Sequence, residues 1–230
     1  MRRFTYELGR CLRETGQALD RVGVRAQGKE SFKEAFSRHR SVMGVYDRLP
    51  EIASDSWVAP SASVIGEVNV ASMSSIWYGC VLRADVNEIS VGGLTHIQDG
   101  TVVTVSKHNP EGFPASTYIG HYVNIGPACS LFSCTIEDVV EIGAGSVIGE
   151  GALVEANAKV GPGSVVPPGT RIPSGQMWQG NPAVYVRDVT EDEVADMKKA
   201  CEELNGTASK HSYEFLPFGT AYKEAEKLQQ

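Results

Sequence analysis

Residues 136–172 read IEDVVE IGAGSV IGEGAL VEANAK VGPGSV VPPGTR I, and an aliphatic residue opens every hexad: Ile136, Ile142, Ile148, Val154, Val160, Val166, Ile172. The same beat starts earlier at Val58, Val64, Val70, Ile76 and Leu82. It resumes at Val91, Ile97 and Val103, and returns at Ile119, Ile125 and Leu131. A period of six matches neither the roughly 3.6 residues of a helical turn nor the simple alternation of a free strand. It is the pattern of a parallel β-helix, in which each hexad makes one flat face and a turn, and one aliphatic per face fills the inside. A sandwich of short strands would not hold that period through so long a run. The interior is committed to packing, so function belongs on the outside.

The register repeats within the hexads. Four residues past the anchors come small side chains, Ala62, Cys80, Thr95, Cys129, Ala152, Ala158 and Ser164 among them, as a sharp inward corner requires. One step past the anchor glycine is frequent: Gly92, Gly120, Gly126, Gly143, Gly149 and Gly161, with Gly66 two steps past Val64. Glycine there is expected to let the chain turn with positive φ. The repeats run from residue 57 to about 180. Spacing says nothing of the coil's hand.

The 230 residues carry a net charge of −7, unevenly spread. Residues 1–40 hold ten Lys/Arg against five Asp/Glu, which leaves −12 for the remainder. No apolar run approaches the roughly 18 residues that a membrane span needs. The five cysteines, Cys11, Cys80, Cys129, Cys134 and Cys201, form no CxxC pair. Cys80 and Cys129 fall on the small inward position and read as buried thiols. Three segments follow: an arm over 1–45, the hexapeptide-repeat β-helix over 46–187, and a C-terminal helix with an aromatic-rich tail over 188–230.

In the arm, Phe4, Leu8, Cys11, Leu12, Leu19 and Val22 recur at helical spacing between arginines. This predicts a basic amphipathic helix, broken near Gly23. It suits a mitochondrial targeting segment, a helix lying on a membrane or partner, or a cap on the coil. Glu7, Glu14 and Asp20 are unusual in a cleaved presequence, which favours a retained docking helix with Phe4, Leu8, Leu12 and Leu19 as its contact side. At the other end, Thr190-Glu191-Asp192-Glu193 is a capping box. Val194, Met197, Cys201 and Leu204 line one face of the helix it opens, which is expected to run back along the coil and end at Asn205-Gly206. Tyr213, Phe215, Leu216, Phe218 and Tyr222 follow, and want either a partner or the chain's own surface.

The stretches Ile76-Trp77-Tyr78-Gly79-Cys80-Val81-Leu82-Arg83-Ala84-Asp85-Val86-Asn87, Ile97-Gln98-Asp99, Ile172-Pro173-Ser174-Gly175 and Trp178-Gln179-Gly180-Asn181-Pro182-Ala183 resemble gamma-class carbonic anhydrases. Arg13 to Arg21 and Ser37-Arg38-His39-Arg40 resemble the gamma-carbonic-anhydrase subunits of mitochondrial respiratory complex I in plants, algae and some protists. The resemblance spans roughly residues 10 to 205. It implies a mainly β fold, a left-handed parallel β-helix with helices at both ends, and a trimer with zinc shared between adjacent subunits. It also implies peripheral attachment to the matrix side of the inner membrane through the complex's membrane arm. Partners would be related gamma-carbonic-anhydrase-like chains in a heterotrimer, membrane-arm subunits and the membrane surface, with no nucleic acid.

Carried over by position, the family's three zinc histidines land on Thr104, Pro127 and Phe132. Proline and phenylalanine side chains have no lone pair to give, and a threonine hydroxyl is too weakly acidic to replace imidazole. No cofactor is therefore expected in this chain, zinc being left to interfaces formed by partners. Arg83, Asp85, Gln98 and Asp99 match positions that shape the interface and support the site, a role that survives the loss of metal. Of the histidines, His39 lies in the arm, His96 reads as a hexad corner, His108 and His121 bracket an interrupting loop, and His211 lies in the tail. The expectation is a non-catalytic structural subunit. Two alternatives are an active zinc carbonic anhydrase with a relocated or shared site, and a hexapeptide acyltransferase with His121 as base.

Overall fold

The computed structural model describes residues 2–28, 39–108 and 114–214, the Phe4 side chain and the aromatic tail beyond Glu214 lying outside that description. The chain divides into two units, residues 1–38 with 217–230, and residues 39–216. In the first, helix α1 runs unbroken from Arg2 to Gln27. The expected break at Gly23 does not occur, because a lone glycine weakens a helix by only about 1 kcal/mol and does not remove a hydrogen bond. Among the described residues no helix is long and apolar enough to cross a membrane.

The second unit is the left-handed parallel β-helix, and its cross-section has three faces. The first face stacks Val42–Met43, the front halves of the long strands Ser63–Val70 and Val81–Val91, then Val102–Thr104, Ser130–Phe132, Val147–Ile148 and Val165–Val166. The second stacks Glu51–Ile52, the rear halves of those long strands, Thr117–Ile119, Thr135–Ile136, Leu153–Val154 and Arg171–Ile172. The third runs from Trp57–Val58 through Ser75–Ile76, His96–Ile97, Asn124–Ile125, Glu141–Ile142 and Lys159–Val160 to Gln176–Gln179, with Val184–Asp188 added antiparallel at its edge. Pairing begins at Val42, ahead of residue 57 where the hexads first read, because Val42 and Met43 join by backbone and leave their side chains exposed.

The anchors Ile136, Ile142, Ile148, Val154, Val160, Val166 and Ile172 are all fully buried and stack through the coil. Glycine's role differs from the expectation. Positive φ falls three residues past the anchor, at Gly79, Gly100, Gly145, Gly151, Gly163, Gly169 and Gly175, and also at Met73, Leu94, Tyr122, Ala128, Val139 and Asn157. None of the glycines one step past the anchor has positive φ, and Gly66, which does, lies two steps past Val64. The others are there because adjacent coils touch: a Cβ on Gly126 would lie 2.7 Å from the Ala144 nitrogen, and one on Gly143 would overlap Pro162.

Helix α2 spans Glu191–Glu214 and packs on strands of the third face. Its capping box is formed, with Glu193 N–H donating to Thr190 Oγ1 at 3.3 Å and Thr190 N–H donating to Glu193 Oε2 at 3.1 Å. The helix passes through Asn205-Gly206 instead of ending there, since Ala208, two residues past Gly206, is buried in the core cluster. Nothing crowds Gly206, so only its modest propensity cost stood against continuation.

Candidate functional site

Arg83, Thr104 and Phe132 form one column on the first face, as successive parallel partners. Each is one residue past an inward anchor, Leu82, Val103 or Leu131, so each side chain stands away from the interior. Thr104 is half-buried and Phe132 is exposed. Pro127 is elsewhere, exposed at the corner between the third and first faces, with its carbonyl accepting from Gly145 N–H at 2.8 Å. The structure thus brings Thr104 and Phe132 together and leaves Pro127 on another part of the surface. Hydroxyl, ring and pyrrolidine make no nitrogen donor set for zinc. Among the described residues no group of three or more His, Cys, Asp or Glu side chains could hold a metal ion.

Arg83 and Asp85 point outward together and approach to 3.7 Å, both substantially solvated, so the contact is weak. Asp85 Oδ1 has no hydrogen-bond partner among the described residues. Gln98 and Asp99 tie neighbouring coils together. Gln98 Nε2 donates to Asn124 Oδ1 at 2.8 Å, Asp99 Oδ1 accepts from Tyr78 N–H at 3.1 Å, and the Asp99 carbonyl accepts from Ala128 N–H at 2.8 Å.

The five histidines are dispersed. His39 Nε2 lies 2.8 Å from the Ala62 carbonyl, and His108 is exposed beside the loop. His121 Nδ1 accepts from Gly93 N–H at 2.8 Å. A neutral ring so bound carries its proton on Nε2, which leaves no free lone pair for a general base. His96 departs from its expected place at a hexad corner. It lies within a strand of the third face and is fully buried. Ser75 Oγ lies 2.7 Å from its Nδ1, and Trp77 Nε1 donates to the same hydroxyl at 2.8 Å. Nε2 has no hydrogen-bond partner among the described residues, although the Cys201 carbonyl of α2 is near enough to favour the charged ring slightly. Burial outweighs that and pushes the imidazole down to about 4.

Nearby, Trp57, Trp77 and Tyr78 pack edge to face with centroids 5.2 to 6.4 Å apart, and His211 of α2 sits among them, its Nδ1 2.8 Å from Tyr78 Oη. This cluster, which fastens α2 to the coil, escaped the sequence reading. Its one advance signal was the apolar side of α2, which needed a surface to cover. The thiols are buried as expected, with Cys134 also inside, and burial raises Cys80 to about 11 and Cys134 and Cys201 to about 12. They stay protonated and unreactive at neutral pH. On α1, Leu8, Leu12 and Leu19 are 51%, 67% and 68% exposed.

No family profile matches the chain. It is 47% identical over 209 residues to gamma carbonic anhydrase 1, mitochondrial, of Arabidopsis thaliana, a match covering 91% of this chain and 76% of that protein. It is 53% identical over 209 residues to gamma carbonic anhydrase 3, mitochondrial, of the same plant, covering 91% and 81%. Gamma carbonic anhydrase-like 1, mitochondrial, also from Arabidopsis, is 46% identical over 82% of this chain and 75% of its own length. Among solved structures, a hexapeptide transferase family protein of Anaplasma phagocytophilum superposes with a TM-score of 0.68 at 34% identity, covering 74% of this chain and 96% of that one. With this identity sustained over most of both sequences, on the same hexapeptide coil, the chain belongs to the gamma carbonic anhydrase family.

Proposed function

We propose that the chain is a non-catalytic structural subunit of a trimer of gamma-carbonic-anhydrase-like chains, mitochondrial and peripheral on the matrix side of the inner membrane, where the trimer sits on the membrane arm of NADH:ubiquinone oxidoreductase. The observation that carries the non-catalytic reading is the column of Thr104 and Phe132, with Pro127 apart, at the positions where the family resemblance places zinc ligands. Hydration of CO₂ by this family's route needs a zinc-bound hydroxide on three protein donors. These residues hold no such ion, so no step is assigned to the chain. Mitochondrial placement is supported by the names of its relatives. Attachment is supported by α1, a helix whose leucines are bare. Arg83, Asp85, Gln98 and Asp99 take the part of shaping the subunit's coils and contact surface.

The purified chain is expected to hold no stoichiometric zinc and to show no CO₂ hydration above the buffer rate. One zinc per chain, lost on replacing His121 or His108, would overturn this in favour of a relocated site. In a mixed trimer, one copy of this chain spoils both interfaces it touches, so at most one histidine-bound zinc remains. Two or three such zincs in a trimer shown to contain the chain count against the assignment. The hexapeptide transferase likeness raises acyl transfer as a second reading, but His121, its natural base, spends Nδ1 on the Gly93 amide.

A further inference from the structure

Helix α2 covers the third face and buries Met197, Cys201 and Ala208, whereas the first face stays bare, with Val102, Phe132 and Val147 exposed. The cover that α2 makes is not continuous. Where its later turns pass the segment leading into Trp57–Val58, a cavity of about 210 Å³ stays open between helix and coil. Sites for drug-sized molecules run to roughly 300–1,000 Å³, so the occupant of this one is small.

One wall is the coil's Asp55, Ser56 and Trp57, and the other is the stripe Asn205, Ser209 and Ser212 of α2. The stripe keeps helical spacing and continues the side of α2 on which Met197 and Cys201 are apolar and buried. Serine and asparagine are poor residues for a helix interior, because they compete for its backbone. Turned toward the coil they add little packing, and they put hydrogen-bonding groups on the cavity.

Those groups are biased toward accepting. Ser56 Oγ donates to the Ala71 carbonyl at 2.7 Å, and Ser209 Oγ donates to the Asn205 carbonyl at 3.0 Å. Each hydroxyl proton is engaged, which leaves the lone pairs to a ligand. The Asp55 carboxylate only accepts, and it has no ion-pair partner among the described residues. Among the described residues no Lys, Arg or His side chain lines the cavity. An anion would meet a carboxylate and no cation, whereas a donor-rich cation meets acceptors on both walls. The Trp57 ring, packed against Trp77, Tyr78 and His211 with centroids 5.2, 5.6 and 5.7 Å away, adds an indole that attracts an ammonium group.

We propose that this cavity binds a small organic ammonium ion with further O–H or N–H donors, an amino alcohol or a short diamine, its charge held by Asp55. Ser56 and Ser209 accept from its other donors, and Asn205 and Ser212, uncommitted in their side chains, meet its far end. A ligand that touches α2 and coil at once ties the helix to the third face. The site stands apart from the first-face column of Arg83, Thr104 and Phe132 and requires no metal.

The test titrates the full chain with ethanolamine and putrescine, using glycerol, tetramethylammonium and inorganic phosphate as controls, and follows backbone amide signals by NMR. Both amines should shift the amides of residues 54–57 and 205–212 saturably and raise Tm. Glycerol lacks the charge and tetramethylammonium lacks N–H donors, so each should bind about tenfold more weakly or worse, and phosphate should not bind. Asp55→Asn, at an exposed position that tolerates the change, should weaken ethanolamine about tenfold. Ser212→Leu, which fills the cavity, should remove the shifts with circular dichroism retained. No saturable shift with either amine overturns the proposal. Equal affinity of ethanolamine for Asp55→Asn and the unaltered chain, equal affinity of glycerol and ethanolamine, or shifts confined to other segments also overturn it.

Discussion

Gly143 and Gly145 are two residues apart and answer to different constraints. Gly145 has φ +68 and open space where a Cβ would go, whereas a Cβ on Gly143 would run into the backbone of Pro162 in the next coil. An L-residue in the left-handed region costs about 1–2 kcal/mol, and a rigid backbone cannot retreat from an overlap. Gly145→Ala is therefore expected to lower stability by about 1 kcal/mol, and Gly143→Ala by clearly more, in urea titrations of the full chain. The converse applies at Met73, which holds φ 58 with its side chain 44% exposed. Met73→Gly should be neutral to stabilising despite glycine's entropy. Equal losses at 143 and 145 would mean that coil contact does not select glycine one step past the anchor.

At the scale of elements, the telling contact is α2 on the third face, with His96 beneath it. Burial holds the folded imidazole near 4, against an ordinary value of 6.5. Between those values the unfolded chain takes up a proton that the folded chain refuses. Stability is therefore undiminished above about 6.5, falls as pH drops toward about 4, and gains no further loss from this group below that. The shift corresponds to about 3 kcal/mol across the window. His96→Gln should flatten that part of the pH profile in denaturant titrations, and an unchanged slope would show that the ring is not sealed under α2. A second window lies lower. The Arg187 guanidinium and the Thr190 cap hold the Glu193 carboxyl down to about 2, so its contribution is lost only as pH falls from about 4.5 toward 2. The two groups act on the same helix and separate by pH.

At the scale of the whole molecule, residues 39–216 form one compact unit and residues 1–38 belong to another. Deleting residues 1–38 should leave the coil folded, since its anchors and α2 lie within the larger unit. The same deletion should release the chain from the membrane fraction of mitochondria, because the leucines of α1 are bare. Fractionation followed by native-gel immunoblotting checks both halves. Full retention in the membrane complex would end the docking role for α1, and an unfolded product would mean that the coil depends on the arm.

The six-residue period and the capping box at Thr190 could be read from the chain alone, and so could the want of a side-chain nitrogen at Thr104, Pro127 and Phe132, where the family resemblance places ligands. Each is a local property: a repeat positions its own anchors, a cap serves the turn beside it, and a side chain without a lone pair lacks one in any fold. The position of positive φ was read two residues too early, because positive φ and coil contact both select glycine and only coordinates separate them. Contacts between distant segments were not legible. His96 looked like a corner residue because the helix that buries it begins at Glu191. Gly206 looked like a helix end because the packing of Ala208 is tertiary. Arg83, Thr104 and Phe132 form a column only because irregular interruptions, a bulge at Asp85–Glu88 and the loop after Val105, are absorbed at corners and return the strands to register. The sequence by itself determined the coil and its interior, since these follow from what each residue is. Only the tertiary structure decided which face is covered, which is bare and which residues meet, since these depend on where the chain returns.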